Sequence, residues 1–155
     1  NLVEFSLTTC RITVERRFQP NLPPVLARAG EVEQVMMNLV SNAREAMPQG
    51  GKLTITTGAD GEWVKTSFTD TGTGILPENR VHLFDPFFTT KDPGKGTGLG
   101  LFISRRIMTD HRGEIRLEGA NGKGTTFSLL FPAAPVEVTE MAAAPRSDIR
   151  VPVRL

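Results

Sequence analysis

Residues 94–101 read Gly94-Lys95-Gly96-Thr97-Gly98-Leu99-Gly100-Leu101, and an apolar stripe at Leu99, Phe102, Ile103 and Ile107 follows directly. Alternating glycines let a backbone come close to a ligand, and the stripe has the spacing of one helix face. A glycine loop that runs straight into a helix aims N–H groups and the positive end of the helix dipole at one place, which is a cradle for an anion. Thr97 adds a hydroxyl, and Lys91 and Lys95 add positive charge. The loop is not a Walker loop, because Gly-x-x-x-x-Gly-Lys-Ser/Thr is absent. It is not a Rossmann fingerprint either, since no strand precedes it at short range and no βαβ unit surrounds it.

Working outward, the helix after the loop is expected to run to about Asp110, with Gly113 as its stop. Upstream, Val32, Val35, Met36, Leu39, Ala43 and Ala46 are spaced as one face of a helix from Glu31 that ends before Pro48. Alternation predicts strands over 9–18, 25–27, 53–57 and 63–69, with a turn at Gly58–Gly61. Ile115, Leu117 and then Thr125–Phe131 predict a last hairpin around Asn121-Gly122. Residues 70–98 are rich in Gly, Pro, Asp, Thr and Lys around an apolar island at Val81–Phe88, and a loop that long inside a domain is usually functional. This order predicts an α+β chain: a two-layer sandwich whose mixed, mostly antiparallel sheet is covered on one face by helices. Residues 1–132 read as the domain. Residues 133–155, rich in Pro and Ala, read as a tail or linker with a short extended piece near Ile149–Leu155.

The 155 residues are 39% hydrophobic and 23% charged, which is globular. A net charge of +1 makes a sequence-independent nucleic-acid clamp a poor fit. The single cysteine, Cys10, cannot pair within the chain, and no Cys/His set has zinc spacing. No apolar run is long enough to cross a membrane, and Asn1 opens no signal peptide. The expected setting is cytoplasmic, with no membrane contact by this domain.

Two more segments carry chemistry. Asn38 and Asn42 lie one turn apart on the first helix with Glu45 beside them, and mid-helix asparagines are poor helix formers. An amide oxygen is a neutral, hard donor suited to Mg²⁺. Asp70-Thr71-Gly72-Thr73-Gly74-Ile75 follows a strand, and a carboxylate at a strand end can accept a hydrogen bond from an exocyclic amine.

In order along the chain, these segments resemble the boxes of the ATP-binding catalytic domain of sensor histidine kinases, in the superfamily that also holds gyrase, chaperone and mismatch-repair ATPases. Residues 38–46 resemble the N box, 70–75 the first glycine box, Phe84-Asp85-Pro86-Phe87-Phe88-Thr89-Thr90-Lys91 the F box, and 96–101 the second glycine box. The Phe-Phe-Thr-Thr-Lys form is most similar to nitrogen-regulatory and hybrid-type kinases. The resemblance implies a Bergerat-type fold that binds ATP and Mg²⁺. It implies Asn42 as metal ligand with Asn38 assisting, Asp70 on the adenine amino group with support from Thr125, and Gly72 and Gly74 closing the base pocket. It further implies N–H groups of Gly96, Gly98 and Gly100 on the phosphates, with Thr97 and Leu99 in the same loop, residues 78–96 as a lid, and Lys91 on the γ-phosphate.

Two departures from the family pattern matter. ATPase relatives carry a Glu where this chain has Asn38, so slow hydrolysis is expected. Many related kinases carry a Lys where this chain has Glu45, which puts a phosphate contact from that helix in doubt. The histidines are His82 and His111, and neither sits in a phosphoacceptor pattern. The acceptor histidine is therefore expected on a separate dimerisation domain, with a response regulator or receiver domain as the further partner.

Overall fold

A computed structural model describes residues 11–91, 96–119, 124–134 and 151–153. The elements in order are β1 (Ile12–Phe18), β2 (Val25–Ala27), α1 (Ala29–Ala46), β3 (Gly51–Asp60), β4 (Trp63–Asp70), α2 (Pro77–Arg80), α3 (Gly100–Asp110), β5 (Glu114–Gly119), β6 (Thr125–Pro132) and β7 (Val151–Val153). The main sheet has the order β1-β3-β4-β6-β5. Only β1 with β3 is parallel; the other neighbours are antiparallel.

The period of two along β4 and β6 decides what the helices cover. Val64, Thr66, Phe68 and Asp70 share one face with Thr125, Phe127, Leu129 and Phe131, and all eight are buried. Against this face pack Val32, Val35, Leu39 and Ala43 of α1 and Ile107 and Met108 of α3. Fully burying a side chain such as Leu39, Leu53 or Phe131 contributes roughly 1.5–3 kcal/mol, so this one layer carries most of the driving force. The opposite face is hydroxyl-bearing: Ser67 and Ser128 share a hydrogen bond of 2.7 Å, Thr69 and Thr126 one of 3.1 Å, and Lys65 pairs with Glu118 at 2.6 Å.

The expected two-layer sandwich is present, and its details differ in ways that have local causes. β3 does not turn at Gly58; that residue stays in the ladder opposite Lys65, and the chain reverses at Gly61, whose φ is +61°. Helix α1 starts two residues early because the Arg28 carbonyl accepts from both Glu31 and Val32 N–H, at 3.0 and 3.1 Å. Gly113 is not the left-handed stop of α3. Arg112 is, at φ +56°, while a Cβ on Gly113 would lie 2.5 Å from the Leu130 carbonyl oxygen. The expected long loop contains α2, four residues opened by Pro77 at its first position, too short to show a period. β2 leaves the main sheet and pairs antiparallel with β7. Cys10 and the turn at Asn121-Gly122 lie outside the described residues.

His111 ties the two long helices together. Its Nε2 accepts from the Arg28 N–H at 3.0 Å, and its Nδ1 bonds the Ile107 carbonyl at 2.8 Å. The Arg28 side chain makes no capping hydrogen bond to α1 and pairs instead with Glu31 at 2.8 Å, while its own N–H is satisfied by a residue 83 positions later.

Candidate functional site

The alternation that buries Phe68 places Asp70 two residues further on the same inner face, at the open end of β4. Thr125 stands opposite it in register. Asp70 Oδ1 accepts the Gly72 N–H at 2.8 Å and the Thr125 N–H at 3.2 Å. Both bonds fall on one oxygen, which leaves the other carboxylate oxygen for a ligand. Burial is the larger influence on its proton and raises the carboxyl above its ordinary value; the N–H bonds from Gly72 and Thr125 pull it partly back. The turn after Asp70 then wraps the end of α1: the Thr73 N–H donates to the Ala46 carbonyl at 3.1 Å, and a Cβ on Gly72 would lie 2.5 Å from that same oxygen.

Helix α1 supplies the next wall. Asn38 Nδ2 donates to Ser104 Oγ of α3 at 3.0 Å, so its Oδ1 is the atom left as an acceptor. Gly100 sits against that oxygen; a Cβ there would approach it to 2.3 Å. Asn42, one turn on, borders the cavity, and no described side chain engages its amide. Glu45, a further turn along the same face, takes the Ser41 hydroxyl on Oε1 at 3.2 Å and forms an ion pair through Oε2 with the Lys91 ammonium.

These groups border one cavity of about 380 Å³, within the range usual for small-molecule sites. Asn38, Asn42, Glu45, Asp70 and Thr125 line it together with Gly74, Lys91, Gly96, Thr97, Gly98 and Gly100. Of the residues expected from sequence, Gly72 and Leu99 do not border it. Gly72 instead packs on Ala46, and the Leu99 N–H meets Thr97 Oγ1 at 3.4 Å. The steric reason for Gly98 also differs from the expected one. Its φ is +66°, and a Cβ would lie 2.3 Å from the Phe87 carbonyl carbon, so the neighbour that excludes a side chain is the Phe87 backbone.

Sequence reading missed several contributors. Ile75, Leu83, Leu101 and Phe127 form an apolar wall beside Asp70; Phe127 was findable, since it alternates with Thr125. Ser104 anchors Asn38, and Gly124, at φ +113°, lets the start of β6 press to the Asp70 carbonyl, where a Cβ would stand 2.1 Å away. Neither has a local signal. Among the described residues no group of three or more His, Cys, Asp or Glu could hold a metal, and no helix is long and apolar enough to cross a membrane.

A sheet-and-helix sandwich with a buried strand-end carboxylate, an amide-bearing helix and a glycine loop on one cavity defines a nucleotide-binding ATPase-type domain. A family model described as histidine kinase-, DNA gyrase B-, and HSP90-like ATPase matches residues 27–135, and the chain belongs to that family. It is 40% identical to sporulation kinase E of Bacillus subtilis (strain 168) over 113 residues, 72% of this chain and 15% of that protein. It is 40% identical to sensor histidine kinase ZraS of Escherichia coli (strain K12) over 121 residues, 77% of this chain and 26% of that protein. The chain therefore spans about a quarter or less of these relatives. Among solved structures it matches the catalytic domain of histidine kinase ThkA with a TM-score of 0.75 and 35% identity, covering 85% of this chain and 86% of that one. It matches full-length ShkA in complex with AMPPNP with a TM-score of 0.73 and 30% identity, covering 86% and 28%.

Proposed function

We propose that this chain is the ATP-binding catalytic domain of a two-component sensor kinase, which transfers the γ-phosphoryl group of ATP to a histidine on a separate dimerisation domain. The observation that carries the reading is that Asp70, Asn42 and Gly98 border the same cavity. Asp70 holds the adenine amino group through its unbonded oxygen, and the apolar wall covers the base. The N–H groups of Gly96, Gly98 and Gly100 take the phosphates, with the N-terminal end of α3 behind them. Lys91 faces the γ-phosphate.

The donor set fits a magnesium ion that arrives with the nucleotide. Asn42 and Asn38 offer neutral amide oxygens, no cluster of three or more acidic or metal-ligating groups competes among the described residues, and Mg²⁺ is commonly held by few protein groups together with phosphates and waters. Bound there, it would neutralise charge on the phosphates.

Phosphoryl transfer depends on positioning and charge stabilisation, and this cavity offers no free base for water. Asn38 cannot take a proton, Asp70 is bonded to Gly72 and Thr125, and Glu45 is paired with Lys91. Neither histidine serves as acceptor. His111 has both ring nitrogens bonded, and His82, paired with Asp85 at 2.8 Å, does not border the cavity. The acceptor thus comes from another domain, and a response regulator then consumes the phosphohistidine, all in the cytoplasm.

Incubating the chain with radiolabelled Mg-ATP and a separately produced dimerisation domain tests this. The expected result is acid-labile label on the histidine domain, lost with Asn42→Ala. Rapid hydrolysis without transfer would point to a gyrase-type ATPase, and binding without either to a nucleotide-sensing module.

A further inference from the structure

We propose that Glu45 is a positioning residue that imports the γ-phosphate-facing cation from the lid, by fixing the Lys91 ammonium at the cavity wall. The proposal rests on the nucleotide reading of the cavity and assigns the one charged wall residue that reading leaves without a role.

Glu45 puts a negative charge into a cavity read as a triphosphate site, where a lone carboxylate would repel the ligand. It is not alone. Ser41, four residues back on the same helix face, bonds Oε1 at 3.2 Å, which orients the carboxylate. Oε2 pairs with Lys91, whose ammonium has three donors and so keeps two for the cavity. The stem of Lys91 is also held. Its N–H donates to Thr89 Oγ1 at 3.2 Å, and Gly96 lies so close that a Cβ would meet Lys91 Cδ at 2.8 Å. The lysine is thus set at its head by α1 and along its stem by the glycine loop.

The pair does not exist for fold stability. Its side chains are 37% and 38% exposed, and pairs that open to water add little. Its effect belongs in ligand discrimination: ATP presents a γ-phosphate to the placed ammonium and ADP does not.

The test measures Kd for Mg-ATP and Mg-ADP with the 155-residue chain, for wild type, Glu45→Gln, Lys91→Met and the double variant. Glu45→Gln should weaken ATP about tenfold, the scale of one charge-assisted contact, with ADP changed less than about twofold. Lys91→Met should lose the same, and the double variant no more than Lys91→Met alone. Amide exchange at residues 88–91 of the nucleotide-free chain should quicken in Glu45→Gln. Additive losses, an equal effect on ADP, tighter ATP binding or unchanged exchange would each overturn the assignment. If the wild-type chain binds neither nucleotide, the reading of the cavity falls and this assignment with it. If it binds ATP and the losses add, only the role of Glu45 falls.

Discussion

The two ends of the cavity are built differently. At the strand end the key groups are held by buried partners: Asp70 is 6% exposed and takes two N–H groups on one oxygen, and the Asn38–Ser104 bond joins the helices at a serine that is 2% exposed. At the lid end, Val81 and Phe87 are 78% and 74% exposed, and the Glu45–Lys91 pair is open to water. The first end is ordered by the same packing that orders the core, so a ligand meets it ready-made. The second is held by a few contacts of low energy that a ligand can rearrange. In this reading the base is selected by rigidity and the phosphates are handled by adjustment.

The largest expected effect comes from striking the rigid end. Asp70→Asn should weaken nucleotide binding by about a hundredfold or more, since a buried charge-assisted contact is lost and a wrong donor put in its place. The fold should not suffer. Burial raises the Asp70 carboxyl above its unfolded value, so the contribution of this group to stability is full at low pH and is lost as pH rises through the folded value. The neutral amide escapes that loss. Denaturant unfolding should therefore show Asp70→Asn at least as stable as wild type at neutral pH, with the difference narrowing as the solution is acidified. Unchanged nucleotide affinity would show that the base does not meet the strand end.

The adjustable end should respond with a smaller loss of affinity. Gly98→Val puts a Cβ into the Phe87 carbonyl at a φ of +66°. The lid backbone has to move off the glycine loop, and we expect about a tenfold loss of ATP affinity, equivalent to roughly 1.4 kcal/mol. The core beneath is untouched, so Tm should fall by only a few degrees. A collapse of Tm would mean that the lid and the core unfold together and that the two ends are not separable.

Why some of this was visible in the sequence and some was not follows from range. The anion loop, the asparagine pair and Asp70 are local patterns, in which a few adjacent residue types already define the chemistry. The faces of α1, β4 and β6 are periodic, so the inner layer was legible as well. The missing parts are long-range. Ser104 reaches Asn38 across 66 positions, His111 reaches Arg28 across 83, and Gly124 is glycine because of the Asp70 carbonyl. Gly58 misled because glycine usually signals a turn, whereas here pairing to Lys65 kept it in the strand. The Glu45–Lys91 pair joins two quoted boxes, yet nothing in either spacing says that they meet.

The smallest effect tests whether the rigid end is as finished as it looks. Thr66 lies on the inner face between Thr57 and Leu129, two pairs before Asp70 in the ladder. Its Oγ1 is the buried side-chain polar atom without a partner among the described residues. Thr57, beside it, takes the Gln19 N–H on its Oγ1 at 3.2 Å. Valine keeps the shape of threonine and removes the hydroxyl whose hydration was lost, so Thr66→Val should stabilise the chain by about 1 kcal/mol, a rise of roughly 3 °C in Tm. Destabilisation would mean that the hydroxyl has a partner after all. ATP affinity is the sharper reading. If the strand end is already fully ordered, stabilising the layer beneath it leaves Kd unchanged, because there is no residual motion for the ligand to arrest. A tighter Kd in Thr66→Val would show that nucleotide binding still orders the sheet, and the division between a ready-made end and an adjustable one would have to be redrawn.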